Sequence, residues 1–150
     1  LQQYTHNINL VRWFLDAGDD IRISSVDLND DGMTGIVVFK AGGTRSVIES
    51  GSSAYHGWEE HTTVYFEKGW IKTWAPPLLL KNMAAKVELY KNGTRSEIFP
   101  ENGWTWSFKE EMRLFADCVI NDKPFRSPAS DTAVDVRFFE DVYAKFLNLD

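Results

Sequence analysis

Residues 21–50 read IRISSVDLNDDGMTGIVVFKAGGTRSVIES, and this stretch decides the fold. Its runs IRISSVDL, MTGIVVFK and TRSVIES alternate apolar with polar residues and are rich in valine and isoleucine, as half-buried strands are. NDDG and KAGG stand between them and carry the turn residues that let a chain reverse tightly, so the runs are expected to pair antiparallel as a meander.

Downstream, TTVYFEKGWIKTW, AKVELYK and SEIFP continue the alternation, with EKGW and KNGT as further short connections. Upstream, from Thr5 to about Ala17, the residues Ile8, Val11 and Leu15, with Leu10 and Phe14, recur at helical spacing and predict an amphipathic helix closed by Gly18. At the other end, SFKEEMRLFADCVIND carries Phe108, Met112, Phe115 and Ile120 near helical spacing. SDTAVDVRFFEDVYAKFLN does the same with Val134, Phe138, Val142 and Phe146, and Ser130 or Asp131 is a candidate cap for it. A helix, a run of strands and two closing helices predict an α+β fold: a single, largely antiparallel, open-faced β-sheet with helices packed on one face. The other sheet face must show polar residues to water or bury apolar surface against a partner, and a second copy is the expected one.

A chain of 150 residues, 43% hydrophobic, is long enough for one domain with a real core. A net charge of −6 leaves no basic stripe for nucleic acid, and no apolar run approaches the length of a membrane span. The lone Cys118 sits in the apolar stretch LFADCVI, where a buried thiol is the expected state; one cysteine allows no internal disulfide and favours a reducing, cytoplasmic setting. The chain begins at Leu1 rather than at a methionine, as expected for a piece of a longer protein.

Short motifs each carry a dull and a sharp interpretation. DLNDDG sets Asp27, Asn29, Asp31 and Gly32 where a calcium loop begins, but Val38 stands where its closing carboxylate belongs, so an acidic turn is expected. Asn92 to Thr94 match a glycosylation acceptor and, between two strand patterns, a hairpin turn; the hairpin is expected. YHGWEEH gathers His56, Glu59, Glu60 and His61 without the spacing of a metal site, so no metal is expected; a polar, aromatic loop after a strand makes Tyr55, His56 and Trp58 candidates for a ligand pocket. The other tryptophans are expected to pack in the core or at an interface. His6, Asn9, Leu10 and Trp13 share one face of the first helix, so imidazole and amide are expected to point the same way; a helix-start histidine that meets only backbone or solvent is the plainer possibility.

The segments THNINLVRWFL, EEHTTVYFEKGWIKTW and FKEEMRLFADCVINDKPFRSPASDTAVDVRFFEDVYAKF, in this order and covering nearly the whole chain, resemble the C-terminal domain of the glucose-fructose oxidoreductase, inositol dehydrogenase and MocA family of NAD(P)-dependent oxidoreductases. The first is similar to the family's histidine-headed helix, the second to a strand pair around a glycine turn, the third to its closing helices. The resemblance implies a sugar or polyol substrate and His6 as catalytic base, a role suited to a group that titrates near neutrality. It places Asn9 where many members carry aspartate, able to bond a substrate hydroxyl, and Gln2 where many carry an acid that holds the histidine's tautomer. Gln2 can hydrogen-bond but brings no charge. The resemblance also implies that NAD or NADP is bound mainly by a preceding dinucleotide-binding domain, and no G-x-G-x-x-G stands in this chain. Three functions stay open: the base-bearing half of an oxidoreductase, a ligand-binding module that has lost chemistry, and an assembly domain.

Overall fold

The computed structural model describes residues 4–51, 57–100 and 105–149. Its elements in chain order are α1 (Tyr4–Leu15), β1 (Ile21–Leu28), β2 (Gly35–Ala41), β3 (Thr44–Ser50), β4 (His61–Phe66), β5 (Gly69–Trp74), β6 (Lys86–Lys91), β7 (Thr94–Ile98), α2 (Ser107–Ile120) and α3 (Ala129–Phe146). They are the helices and strands the sequence predicts, in an α+β arrangement that is antiparallel throughout. The strand pattern predicts one sheet; the described strands hydrogen-bond as two, in the orders β1-β2-β3 and β4-β5-β6-β7. The physical reason lies in the connections. Tight turns fix register inside each meander, whereas GSSAYHGWEE, between Ser50 and His61, has neither alternation nor a two-residue turn to enforce pairing. Two compact units result, Leu1–Ala54 with Arg126–Asp150, and Tyr55–Phe125.

In the first unit the alternation of β2 is plain: Val37, Phe39 and Ala41 are buried, Ile36 and Lys40 exposed. Strand β1 needs a device to keep phase with it. Ile23 pairs with Phe39 and Ser25 with Val38, so Ser24 is an extra residue, a β-bulge. Ile21 and Ile23 before the bulge and Val26 and Leu28 after it therefore all reach the core, which an unbroken period of two would forbid. Helices α1 and α3 cover this face. Ile8, Phe39, Phe138 and Val142 form its centre, with Phe39 and Phe138 packed edge to face at 5.0 Å between centroids.

The turn between β1 and β2 is closed by its own side chains. Met33 N donates to Asn29 Oδ1 at 3.2 Å and to Asp31 Oδ1 at 2.8 Å, and Thr34 N donates to Asn29 Oδ1 at 3.0 Å, the acidic turn expected of DLNDDG. Gly32 sits at φ +67°, and Tyr143 Oη of α3 donates to its carbonyl at 2.7 Å, tying the turn to the helix. Helix α3 is not capped as the sequence suggests. Ser130 and Asp131 lie inside it, Pro128 holds the cap position without a side-chain bond, and the Asp131 carboxylate is used elsewhere.

In the second unit, cross-strand register sorts the sheet into two faces. Val64, Ile71 and Leu89 share one with Val87 and Ile98. The other holds His61, Trp74 and Lys86, then Thr63, Lys72, Glu88 and Glu97, then Tyr65, Trp70, Tyr90 and Arg95. Glu88 is nearly buried among its partners: Lys86 Nζ lies 3.0 Å and Arg95 Nη2 2.7 Å from its carboxylate. The hydrogen bond from Lys86, joined by that from Arg95, outweighs desolvation and holds the Glu88 carboxyl below its ordinary pKa. The Nζ atoms of Lys72 and Lys86 sit 4.5 and 4.8 Å from the Trp74 ring centre, and Trp70 stacks on Tyr90. The turn at Asn92 and Gly93, both at positive φ, closes the β6–β7 hairpin as predicted. Helix α2 has no buried residue. No helix among the described residues is long and apolar enough to cross a membrane.

Candidate active site

Helix α1 has three differently employed sides, each set by the 3.6-residue turn. Ile8, Val11 and Leu15 point to the core. Asn9 and Arg12 turn toward α3. His6 and Trp13, seven residues apart, are exposed, and Trp13 has Arg126 lying 4.8 Å above its ring centre. His6 is thus an accessible imidazole at the head of a helix whose other sides are fixed.

What fixes it is a charged lock. Arg12, 4% exposed, donates from Nε to Gly18 O at 2.6 Å, from Nη1 to Asp135 Oδ1 at 2.6 Å and to Asp131 O at 3.1 Å, and from Nη2 to Asp131 Oδ1 at 2.6 Å. Asp135, 1% exposed, and Asp131 take the Asn9 amide as well: Nδ2 donates to Asp135 Oδ2 at 2.8 Å and to Asp131 Oδ2 at 3.1 Å. Burial by itself would lower the Arg12 pKa; the hydrogen bonds to Asp135 and then Asp131 outweigh it and raise it further. Every buried side-chain nitrogen and oxygen among the described residues has a partner, so the lock is a satisfied network.

The sequence puts His6 and Asn9 on one face pointing the same way; the structure divides them. The Asn9 amide donors are committed to two carboxylates of α3 while His6 faces outward. Gln2, Tyr55 and His56 lie outside the described residues. Trp58 is 37% exposed and belongs to the second unit, His6 to the first. Of the cluster around Trp58, His61 Nδ1 approaches Glu59 Oε1 at 3.4 Å, and its ring lies 6.4 Å from that of Trp74. Cys118 is half-buried in α2, its thiol directed at Pro124 O at 3.5 Å, rather than deep in a core.

Arg12, Asp131 and Asp135 were not visible as a set from sequence patterning. A signal did exist. Arg12 borders the apolar stripe of α1, and Asp131 and Asp135 fall one turn apart in line with Phe138 and Val142, so opposite charges stand on the inward sides of two helices.

The antiparallel α+β fold has counterparts among solved structures. A crystal structure of a mutant of KijD10, a 3-ketoreductase from Actinomadura kijaniata, in complex with TDP-benzene and NADP, superposes with a TM-score of 0.70 over 94% of this chain and 45% of that one, at 14% identity. KijD10 with the same ligands in its open conformation gives a TM-score of 0.63 over 89% of this chain and 41% of that one, at 15% identity. A further KijD10 mutant gives 0.63, over 93% and 44%, at 15% identity. The shared property is the fold, and this chain spans less than half of each KijD10 chain. No family model and no curated protein matches the sequence.

Proposed function

We propose that this chain is the substrate-facing half of an NAD(P)-dependent oxidoreductase acting on a sugar, polyol or related hydroxylated compound, with His6 as its proton-transfer base. The observation that carries the proposal is the superposition of 94% of the chain on KijD10, a 3-ketoreductase crystallised with NADP. An exposed imidazole on a clamped helix suits the role, because a base must reach its substrate proton and be held in place while it does so. His6 takes the proton from a substrate hydroxyl in the oxidative direction and returns it to the nascent alkoxide in the reductive one. The dinucleotide is a different matter. All described strands are antiparallel, so the described residues contain no βαβ unit with a glycine turn at a helix start, and none of them fits the cofactor in that way. The cofactor is assigned to residues outside this chain.

His6→Ala in the intact gene product is expected to lower kcat/KM by about 10²–10⁴-fold with sugars, polyols and sugar nucleotides as substrates, leaving their binding nearly unchanged. Undiminished turnover would remove His6 from the mechanism. Two facts favour a second reading, a ligand-binding module without chemistry: the uncharged Gln2 ahead of His6, and the commitment of Asn9 to structure. Substrate binding without turnover in the unaltered protein selects it. Homo-oligomerisation through an open sheet face belongs to the same proposal. The face of the four-stranded sheet that carries Trp70, Tyr90 and the 78% exposed Tyr65 is the surface to test, by sedimentation of Tyr65→Glu against the unaltered chain.

A further inference from the structure

Strand β1 lies at one end of the order β1-β2-β3, so one of its edges has no strand hydrogen-bonded to it among the described residues. Gly42 N donates to Asp20 O at 3.0 Å and Asn29 N to Thr34 O at 2.8 Å, and bonded pairs alternate along an antiparallel ladder. Arg22 and Asp27 therefore bond to β2, whereas the main-chain groups of Ile21, Ile23, Val26 and Leu28 point to the open edge on either side of the Ser24 bulge. Of these the Ile21 N–H is already taken, by Asp19 O at 2.8 Å.

About its middle, IRISSVDL is its own complement. Ile21 and Leu28, Arg22 and Asp27, Ile23 and Val26, and Ser24 and Ser25 stand at equal distances from the centre, apolar matched with apolar and cation with anion. Half-buried and exposed residues also follow in the same order from either end.

We infer that β1 is the edge along which two copies of this chain pair, antiparallel about a two-fold axis between Ser24 and Ser25, to form one six-stranded sheet. This edge is distinct from the four-stranded sheet face, and pairing along it asks nothing of the proposed chemistry. In this register Ile23 exchanges main-chain hydrogen bonds with the partner's Val26, and the Leu28 N–H donates to the partner's Ile21 carbonyl. Arg22 stands opposite the partner's Asp27, twice per dimer, at a non-hydrogen-bonded pair, where side chains come closest. Its contact within the chain, with Asp20 Oδ1 at 3.4 Å, is loose and exposed. A bulge normally spoils an edge for pairing; here it falls beside the axis in both strands, so their lengths stay matched.

The edge also has room for a second copy. A cleft of about 430 Å³ lies between Ile21 and Ile23 of β1 and Val134, Phe138 and Ala144 of α3. The partner's Leu28 stands against Ile21 and the partner's Val26 against Ile23, so apolar side chains close the cleft from across the axis. Asp19, Arg137, Asp141 and Lys145 also line it, none of them ion-paired among the described residues, and charges of both signs can answer one another across a two-fold axis.

The test is sedimentation equilibrium of the intact gene product with charge reversals at the paired positions. Arg22→Asp and Asp27→Arg each set like charges opposite one another and are expected to weaken the association at least ~10-fold. The two together restore opposite charges in the same register, and association within about 3-fold of the unaltered protein is expected. Both residues are exposed, so the circular dichroism of every variant is expected to match that of the unaltered protein. A protein that stays monomeric at ~100 μM overturns the inference, as does an assembly that neither single reversal weakens. Weakening by the single reversals without recovery in the pair overturns the register and the inference with it. An assembly broken by Tyr65→Glu and indifferent to both reversals belongs to the four-stranded sheet face and overturns it too.

Discussion

The first unit keeps its apolar residues in and its charges paired in the dark; the second holds together with almost nothing buried. Phe39, Ile8 and Val142 are sealed between a three-stranded sheet and two helices, and even the ions of that layer, Arg12 and Asp135, are out of water. In the four-stranded sheet the one strongly buried side chain among the described residues is a glutamate ringed by Lys86 and Arg95, and α2 has no buried residue. Two ways of stabilising an antiparallel sheet thus stand in one chain. One draws on area removed from water and on a desolvated ion network; the other on hairpin registers, cation–π contacts and surface ion pairs, which are individually weak.

The contrast breaks most sharply at Asp135. Asp135→Ala takes from the Arg12 guanidinium the more deeply buried of its two 2.6 Å carboxylate bonds and is expected to destabilise the first unit by about 3–5 kcal/mol, read by chemical denaturation. The pair Arg12→Met with Asp135→Leu is expected to cost much less, because no buried charge is left alone. A smaller loss, about 1–2 kcal/mol, is expected for Gly32→Ala: φ is +67°, and a Cβ there would stand 3.1 Å from the Tyr143 ring. Acid probes the second unit. The Glu88 carboxyl, held low chiefly by the Lys86 hydrogen bond, stabilises the folded state fully above the ordinary carboxylate pKa, and that contribution disappears as pH falls through its lower folded value. Tryptophan fluorescence of Trp70 and Trp74 followed from pH 7 to pH 3 should report loosening of this sheet below about pH 4.5. Smallest of all, Met112→Asp on α2 should change the stability of the 150-residue chain by no more than about 0.5 kcal/mol.

Most of the fold was legible because period and turn chemistry are local. NDDG, KAGG, EKGW and KNGT marked four reversals, whereas the bulge in IRISSVDL shows only in the pairing of β1 with β2. The division into two sheets was not legible, since whether Ser50 and His61 belong to neighbouring strands depends on a connection without turn chemistry. At the site, helical spacing put His6 and Asn9 on one face of α1, and neither the outward position of His6 nor the commitment of Asn9 followed from it. That commitment depends on Asp131 and Asp135, more than a hundred residues away, and no periodicity in α1 refers to them. Trp58 could be placed in a loop from sequence, but its surroundings come from tertiary structure.

The extra serine in β1 gives the chain an unusual tolerance. On one side of the bulge the partner positions of β1 and β2 sum to 62, as in Ile23 with Phe39, and on the other to 63, as in Ser25 with Val38. Removing Ser24 alone would make the register continuous from Ile21 to Leu28, leave the acidic turn untouched and keep Ile21, Ile23, Val26 and Leu28 inward. Outside the two adjacent serines, a single-residue deletion in β1 would turn part of the strand inside out. Ser24 and its twin Ser25, whose loss leaves the same protein, are where the gene can lose a codon in β1 without changing the frame in which the sheet is read.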